Sequence, residues 1–347
     1  MLPFIEPCLA AEIGTPPAGE RWVHEIKEDG FRTQLNRQGE KVTLYSRGAH
    51  DWTHRYATIA EAALKLPGGD FVIDGEMVVP RRDGTTDFFA LSKAVAGHDS
   101  DPLQFRAFDI LFCDGKDVRR RPLIERKALL QGLIENASER FYLCKHIEFD
   151  GPKVWEHAHR HNAEGIISKR VDSPYRSGRT RDWIKVPCQY RETFYVVGYA
   201  REDADRFDGL YLARREINQL VYAGKLERYG VKLDEIEPMM RRLDAIAIDK
   251  PAIKIDIEKP KARWVTPILK ARVVHRAGAA PRRVRHAIFE GWDETPEAPL
   301  LMDVLRSRIA QSALARKPIA APASVRGVPA ENIMRALEDA VVRPRRS

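Results

Sequence analysis

Glu25-Ile26-Lys27-Glu28-Asp29-Gly30-Phe31-Arg32 decides the reading of this chain. It sets a lysine, two carboxylates, a glycine and an arginine directly after a stretch, 22–26, that reads as a strand. An amine attacks only when unprotonated, and nearby cations or loss of water depress its pKa. Asp29 is a candidate cation ligand, Gly30 lets a backbone approach a phosphate, and Arg32 can grip an oxyanion. Together they suit a lysine that attacks a nucleotide phosphate and carries the nucleotide covalently. In isolation the octet fits a solvated hairpin edge equally well, so the flanking sequence has to decide.

Several stretches supply the groups such a lysine needs. In Val72-Ile73-Asp74-Gly75-Glu76, strand alternation puts Asp74 and Glu76 on one face, where two acids are costly unless paired with cations or metal. Ser46-Arg47-Gly48 ends a hairpin that begins just after Lys27, so Arg47 can return toward it. Phe108, in Phe105-Arg106-Ala107-Phe108-Asp109, offers a face for a base, though core packing explains it as well. Glu164-Gly165-Ile166-Ile167-Ser168-Lys169 adds a carboxylate and a lysine that share a site only if the chain bends near Gly165. Arg179-Thr180-Arg181-Asp182-Trp183-Ile184-Lys185 reads either as a solvated basic loop or as a source of phosphate-binding cations.

The chain has 347 residues, a length that points to two domains and a tail. Its formal charge of +8 favours a polyanionic partner, yet half of that excess comes from residues 297–347, with nine Lys/Arg against five Asp/Glu. The four cysteines are scattered with no C-x-x-C pair, which argues against a disulfide framework or structural zinc and fits a reducing cytoplasm. Neither a signal peptide nor an apolar run long enough for a bilayer is present. His157, His159 and His161 suit a solvated helix end better than a metal clip.

Periodicity gives a hairpin at 31–36 and 41–47, a helix around Tyr56 to Leu64, and strands at 71–79 and 104–113. A helix at 122–135 follows, then strands at 165–169 and 183–186. Beyond Cys188 the texture becomes mostly β, with strands at 194–198, 210–214, 219–222 and 264–274 and one helix at 234–243, which suits a small barrel. A helix at 300–313, an Ala/Pro-rich linker at 317–329 and a short amphipathic helix through Ile333, Leu337 and Val341 are expected in the tail.

The six chemistry-bearing segments, in this order, resemble the signature of the covalent nucleotidyltransferases, and within them the ligase module of bacterial ATP-dependent end-joining DNA ligases. The resemblance covers roughly residues 2–296 and includes Asp51-Trp52-Thr53, Ser177-Gly178-Arg179 and Arg285-His286-Ala287-Ile288-Phe289. It implies an α+β fold: a mixed α/β adenylation domain at 1–189, an OB-fold barrel at 190–296, and a basic tail at 297–347. It implies Lys27 as the adenylated nucleophile and Glu25 as a reader of adenine, with Phe108 stacking on that base. Arg32 and Arg47 would contact ribose or phosphates, while Lys169, Arg179 and Lys185 would hold the α-phosphate or its neighbours. Asp29, Glu76 and Glu164 would hold Mg²⁺ or Mn²⁺, with Glu76 also serving the ribose.

ATP, nicked or broken duplex DNA, and an end-binding protein such as Ku are the implied substrate and partners of a monomeric, nucleoid-associated enzyme. Too few residues precede Lys27 for a polymerase, nuclease or large DNA-clamping domain. An RNA ligase, a capping-type guanylyltransferase and a DNA-binding relative without turnover are the alternatives. Three departures bear on them: Glu28 where many relatives carry an aromatic residue, Pro187 where a second lysine is usual, and Asp293 in place of an arginine.

Overall fold

Seventeen strands, five α-helices and two short 3-10 turns make up the described part of this computed structural model, which covers residues 2–201, 206–217, 219–255, 261–276 and 283–295. The expected tail helices and linker lie outside those residues. In chain order the elements are β1 (Cys8–Glu12), β2 (Trp22–Ile26), β3 (Phe31–Gln38), β4 (Lys41–Ser46), α1 (Ala57–Leu64), β5 (Phe71–Val78), α2 (Phe88–Ala96), β6 (Gln104–Cys113) and β7 (Lys116–Asp117). Next come α3 (Leu123–Ile134), β8 (Phe141–Leu143), α4 (Gly151–Arg160), β9 (Gly165–Arg170) and β10 (Gly178–Pro187). The last group is β11 (Gln189–Arg201), β12 (Phe207–Glu216), β13 (Gln219–Glu227), α5 (Leu233–Asp244), β14 (Ala247–Ile248), β15 (Ala262–Val265), β16 (Lys270–Arg276) and β17 (Arg285–Trp292).

Two sheets carry the first half. One has the order β1-β10-β9-β2, the other β4-β3-β5-β6-β7 with β8 alongside β6. Apolar residues of β3, β5 and β6, among them Leu35, Ile73 and Ile110, bury in one cluster with Tyr56, Ile59 of α1 and Leu130 of α3. A smaller cluster ties the sheets together: Val72, Phe108 and Leu111 from one side meet Cys8, Tyr175 and Trp183 from the other. α4 seals the remaining face of the first sheet through Val154 and Ala158 against Ile166 and Ile184. The chemistry-bearing residues collect along the seam between the sheets.

The second half curls around its own core of Phe194, Leu210, Leu226, Met239 and Val273. The expected strand at 264–274 is in fact two. Pro267 has no N–H for a ladder, and Ile268 donates back to Thr266 O (2.8 Å), so the chain turns between β15 and β16. Both strands still pair with the long β11, at opposite ends of it. Val284 N donates to Ala223 O (2.7 Å), drawing the start of β17 toward β13.

Candidate active site

Lys27 follows β2 directly. Its N–H donates to Gly165 O (2.9 Å), fixing the backbone against the start of β9. Its Nζ lies 2.6 Å from Glu164 Oε2, with the side chains 24% and 14% exposed. That oxygen is buried and lacks hydrogen-bond alignment with the amine, so the pair is held by charge.

The bend required at Gly165 is present. Its φ is +151°, and a Cβ there would lie 2.4 Å from Val186 O, so only glycine fits. Glu164 and Lys169 consequently both face the cavity of about 310 Å³ beside Lys27. Ten of the eleven residues to which the resemblance gives a role line it: Glu25, Lys27, Arg32, Arg47, Glu76, Phe108, Glu164, Lys169, Arg179 and Lys185. Asp29 is the exception.

Several of these residues hold partners that the sequence did not reveal. Asp29 is buried and ion-paired with Arg285 of β17, and it lines a second cavity beside Lys27 and Glu164 and not the one that Glu76 lines. Gly30 serves packing instead of a phosphate: a Cβ would lie 2.2 Å from Met77 O of β5. Arg32 donates twice to Asp74 (2.6 Å each) and once to Cys8 O (3.2 Å), and Tyr175 Oη also donates to Asp74 (2.6 Å). The acid expected to need a cation is thereby satisfied. Lys169 is 1% exposed and donates to Glu25 (2.7 Å), with Nζ 4.1 Å from the Trp183 ring centre and 4.6 Å from that of Phe108. It is buried beside Glu25 and two aromatic rings, unlike the exposed Arg47 and Arg179.

Arg47 and Arg179 are exposed at the rim, the latter bonded to Ala10 O (3.1 Å), and Lys185 pairs with Glu12 (2.8 Å). Glu28 is ion-paired with Arg106 at 2.6 Å, yet burial outweighs that pairing and holds its carboxyl above its ordinary value.

Glu76 is recessed, and burial pushes its carboxyl up to about 8 against the pull of Lys27 and Arg32. A divalent cation is the partner that would reverse this shift. Among the described residues no three His, Cys, Asp or Glu side chains are grouped to hold one. Two carboxylates suit a divalent cation whose remaining positions are completed by substrate phosphates and water.

Sequence reasoning missed Lys127, Arg106, Trp183 and Arg276. Lys127 was detectable: 123, 127, 130 and 134 share one helical face, so a lysine there enters the core. Arg276 carried no local signal. A second cavity of about 550 Å³ shares Lys27, Glu28 and Glu164 with the first and continues past Arg81, Arg214 and Arg283. His161 Nδ1 donates to His157 O (2.9 Å) and His159 stacks on Tyr190 at 4.4 Å, so these histidines finish α4 and pack it.

Comparison with known proteins matches this geometry. Residues 10–186, just over half of the chain, match the family described as ATP dependent DNA ligase domain. The chain is 33% identical over 307 residues to the multifunctional non-homologous end joining protein LigD of Pseudomonas aeruginosa, covering 85% of this chain and 36% of that protein. It is 29% identical over 276 residues to a probable DNA ligase of Dictyoglomus thermophilum, covering 70% and 46%. The chain thus spans less than half the length of both relatives.

A solved mycobacterial DNA ligase D complexed with ATP and MES superposes with TM-score 0.50 at 23% identity, over 84% of this chain and 96% of that one. A Lig E DNA ligase superposes with TM-score 0.50 at 14% identity, over 82% and 99%. At such identities the likeness establishes the fold, a nucleotidyltransferase core followed by an OB-type barrel. The matched segment contains the seam, its lysine and the carboxylates gathered beside it, and the chain belongs to the ATP-dependent DNA ligase domain family.

Proposed function

We propose that this chain seals nicks or broken ends in duplex DNA with ATP, in repair by end joining. The observation that carries the reading is the gathering of residues from Glu25 to Lys185 on one cavity around Lys27. Residues 1–189 act as the adenylation domain, 190–296 as the OB-fold domain and 297–347 as a basic tail. An end-binding protein of the Ku kind is the proposed partner, and the cytoplasmic nucleoid the proposed location.

Lys27 Nζ must shed its proton before it attacks, and Glu164, 2.6 Å away, holds the amine in place by charge. A phosphoramidate bond forms to the α-phosphorus of ATP as the bond to pyrophosphate breaks. AMP then passes to the 5′-phosphate of DNA, and the 3′-hydroxyl displaces it. Arg47, Arg179 and Lys185 stabilise spreading phosphate charge at the rim, while Glu25 and Phe108 hold the base. A cation at Glu76 and Glu164 would neutralise charge on the transferred phosphate when bound.

Incubation with α-labelled ATP and Mg²⁺ or Mn²⁺ should leave label on the protein, and Lys27→Ala should abolish it. A nicked duplex should then be sealed. Absence of label on the wild-type protein rejects the proposal.

A further inference from the structure

Lys127 is a buried cation to which the chemistry above assigns no part. It lies on α3, 3% exposed, and is not one of the residues lining the Lys27 cavity. Its ammonium donates to Glu25 Oε1 (2.6 Å) and Cys144 O (2.9 Å), with Phe108 O at 3.5 Å. A lysine has three donors, and three acceptors surround this one. Glu25 Oε2 accepts from Lys169 (2.7 Å). One carboxylate, 3% exposed, is thus clamped by one ammonium on each oxygen.

Glu25 nevertheless lines the cavity beside Phe108 and Ile167. An ionised carboxylate only accepts, and it has about four acceptor positions, so the two lysines do not exhaust it. A base bound in the cavity beside Phe108 would bring a polar edge to this acceptor. Adenine carries an amino donor at position 6, whereas hypoxanthine and guanine carry a carbonyl acceptor there. A carboxylate aimed at the position-6 group itself, and not at the neighbouring N1–H of an oxo purine, rewards the first and repels the second; a protonated carboxyl, which donates, would accept the second. Burial alone would drive Glu25 toward the protonated form, but Lys127 and then Lys169 outweigh it and hold the carboxyl below its ordinary value.

We propose that Lys127 is a positioning residue for base selection: it clamps Glu25 as an acceptor-only group facing the base edge, so that the cavity takes a 6-amino purine and rejects a 6-oxo purine. The proposal rests on the reading of this cavity as the nucleotide site. It assigns nucleotide preference to a helix residue that touches no nucleotide.

The test compares label transfer from α-labelled ATP and α-labelled ITP to the full chain, wild type and Lys127→Met, with the same divalent cation. The wild type should strongly prefer ATP. Lys127→Met should lower the ATP-to-ITP ratio of kcat/KM by roughly tenfold or more, chiefly through a higher KM for ATP. A role in stability alone would depress both nucleotides equally, and a ratio unmoved in a folded Lys127→Met protein overturns the proposal. Should that variant melt below the assay temperature, Lys127→Gln takes its place and the ratio decides in the same way. A wild-type protein that takes label from neither nucleotide overturns the nucleotide-site reading itself, an outcome distinct from an unchanged ratio.

Discussion

Arg276 of β16 closes a 2.6 Å ion pair with Glu12 of β1, joining residues 264 positions apart. Glu12 also holds Lys185 at 2.8 Å, and these contacts keep its carboxyl below its ordinary value. Both cations line the Lys27 cavity. The barrel thus places a guanidinium beside Lys185, on the strand that ends at Pro187, where a second lysine is usual in the family. Arg276→Ala should raise the KM for ATP in self-adenylation severalfold, and Glu12→Gln should lower it by freeing both cations. Steady-state labelling across ATP concentrations measures this, and an unchanged KM in both variants rejects the assignment.

The Glu76 carboxyl is pushed from 4.5 up to about 8 in the folded protein. Between those values the folded protein keeps a proton that the unfolded chain has released, so stability should fall as pH rises through the window and level off above it. Glu76→Gln should flatten that slope. Urea unfolding at about pH 5 and about pH 8 gives both slopes, and equal slopes contradict the shift. A divalent cation should restore the wild type at the higher pH and do little for the variant.

Gly30→Ala should be severe. The new Cβ would lie 2.2 Å from Met77 O and 2.9 Å from Glu76 Cγ, so β3 and β5 must separate and carry Lys27 with them. A loss of roughly 1–3 kcal/mol is expected from overpacking of this kind. Label transfer should fall further than the folded fraction does; a variant that is destabilised yet labels normally when folded would show that the seam tolerates the shift.

Arg126 and Asp109 form a fully buried pair, with Nε and one terminal nitrogen donating to the two carboxylate oxygens at 2.8 and 2.9 Å. The pair fastens α3 to β6, the strand that carries Phe108. Asp109→Ala leaves a guanidinium buried without its counter-charge and should cost roughly 3–5 kcal/mol. Denaturant melts report it, and a loss under about 1 kcal/mol would mean that water or another acceptor rescues the arginine.

The sequence by itself determined the lysine, the acids on β5, the carboxylate before Gly165 and the change of texture at Cys188, because each depends on local spacing and side-chain chemistry. Periodicities of 2 and 3.6 give strands and helices wherever one face must be buried, and a glycine between an acid and a strand marks a bend without any knowledge of partners. Only the tertiary structure decided which charges neutralise which. Asp29 could have faced a metal or an arginine; Arg285, distant in sequence, took it. Lys169 could have held phosphate; Glu25 and the rings of Trp183 and Phe108 took it. An ion pair is set by distance in space and by the water excluded around it, and sequence separation encodes neither.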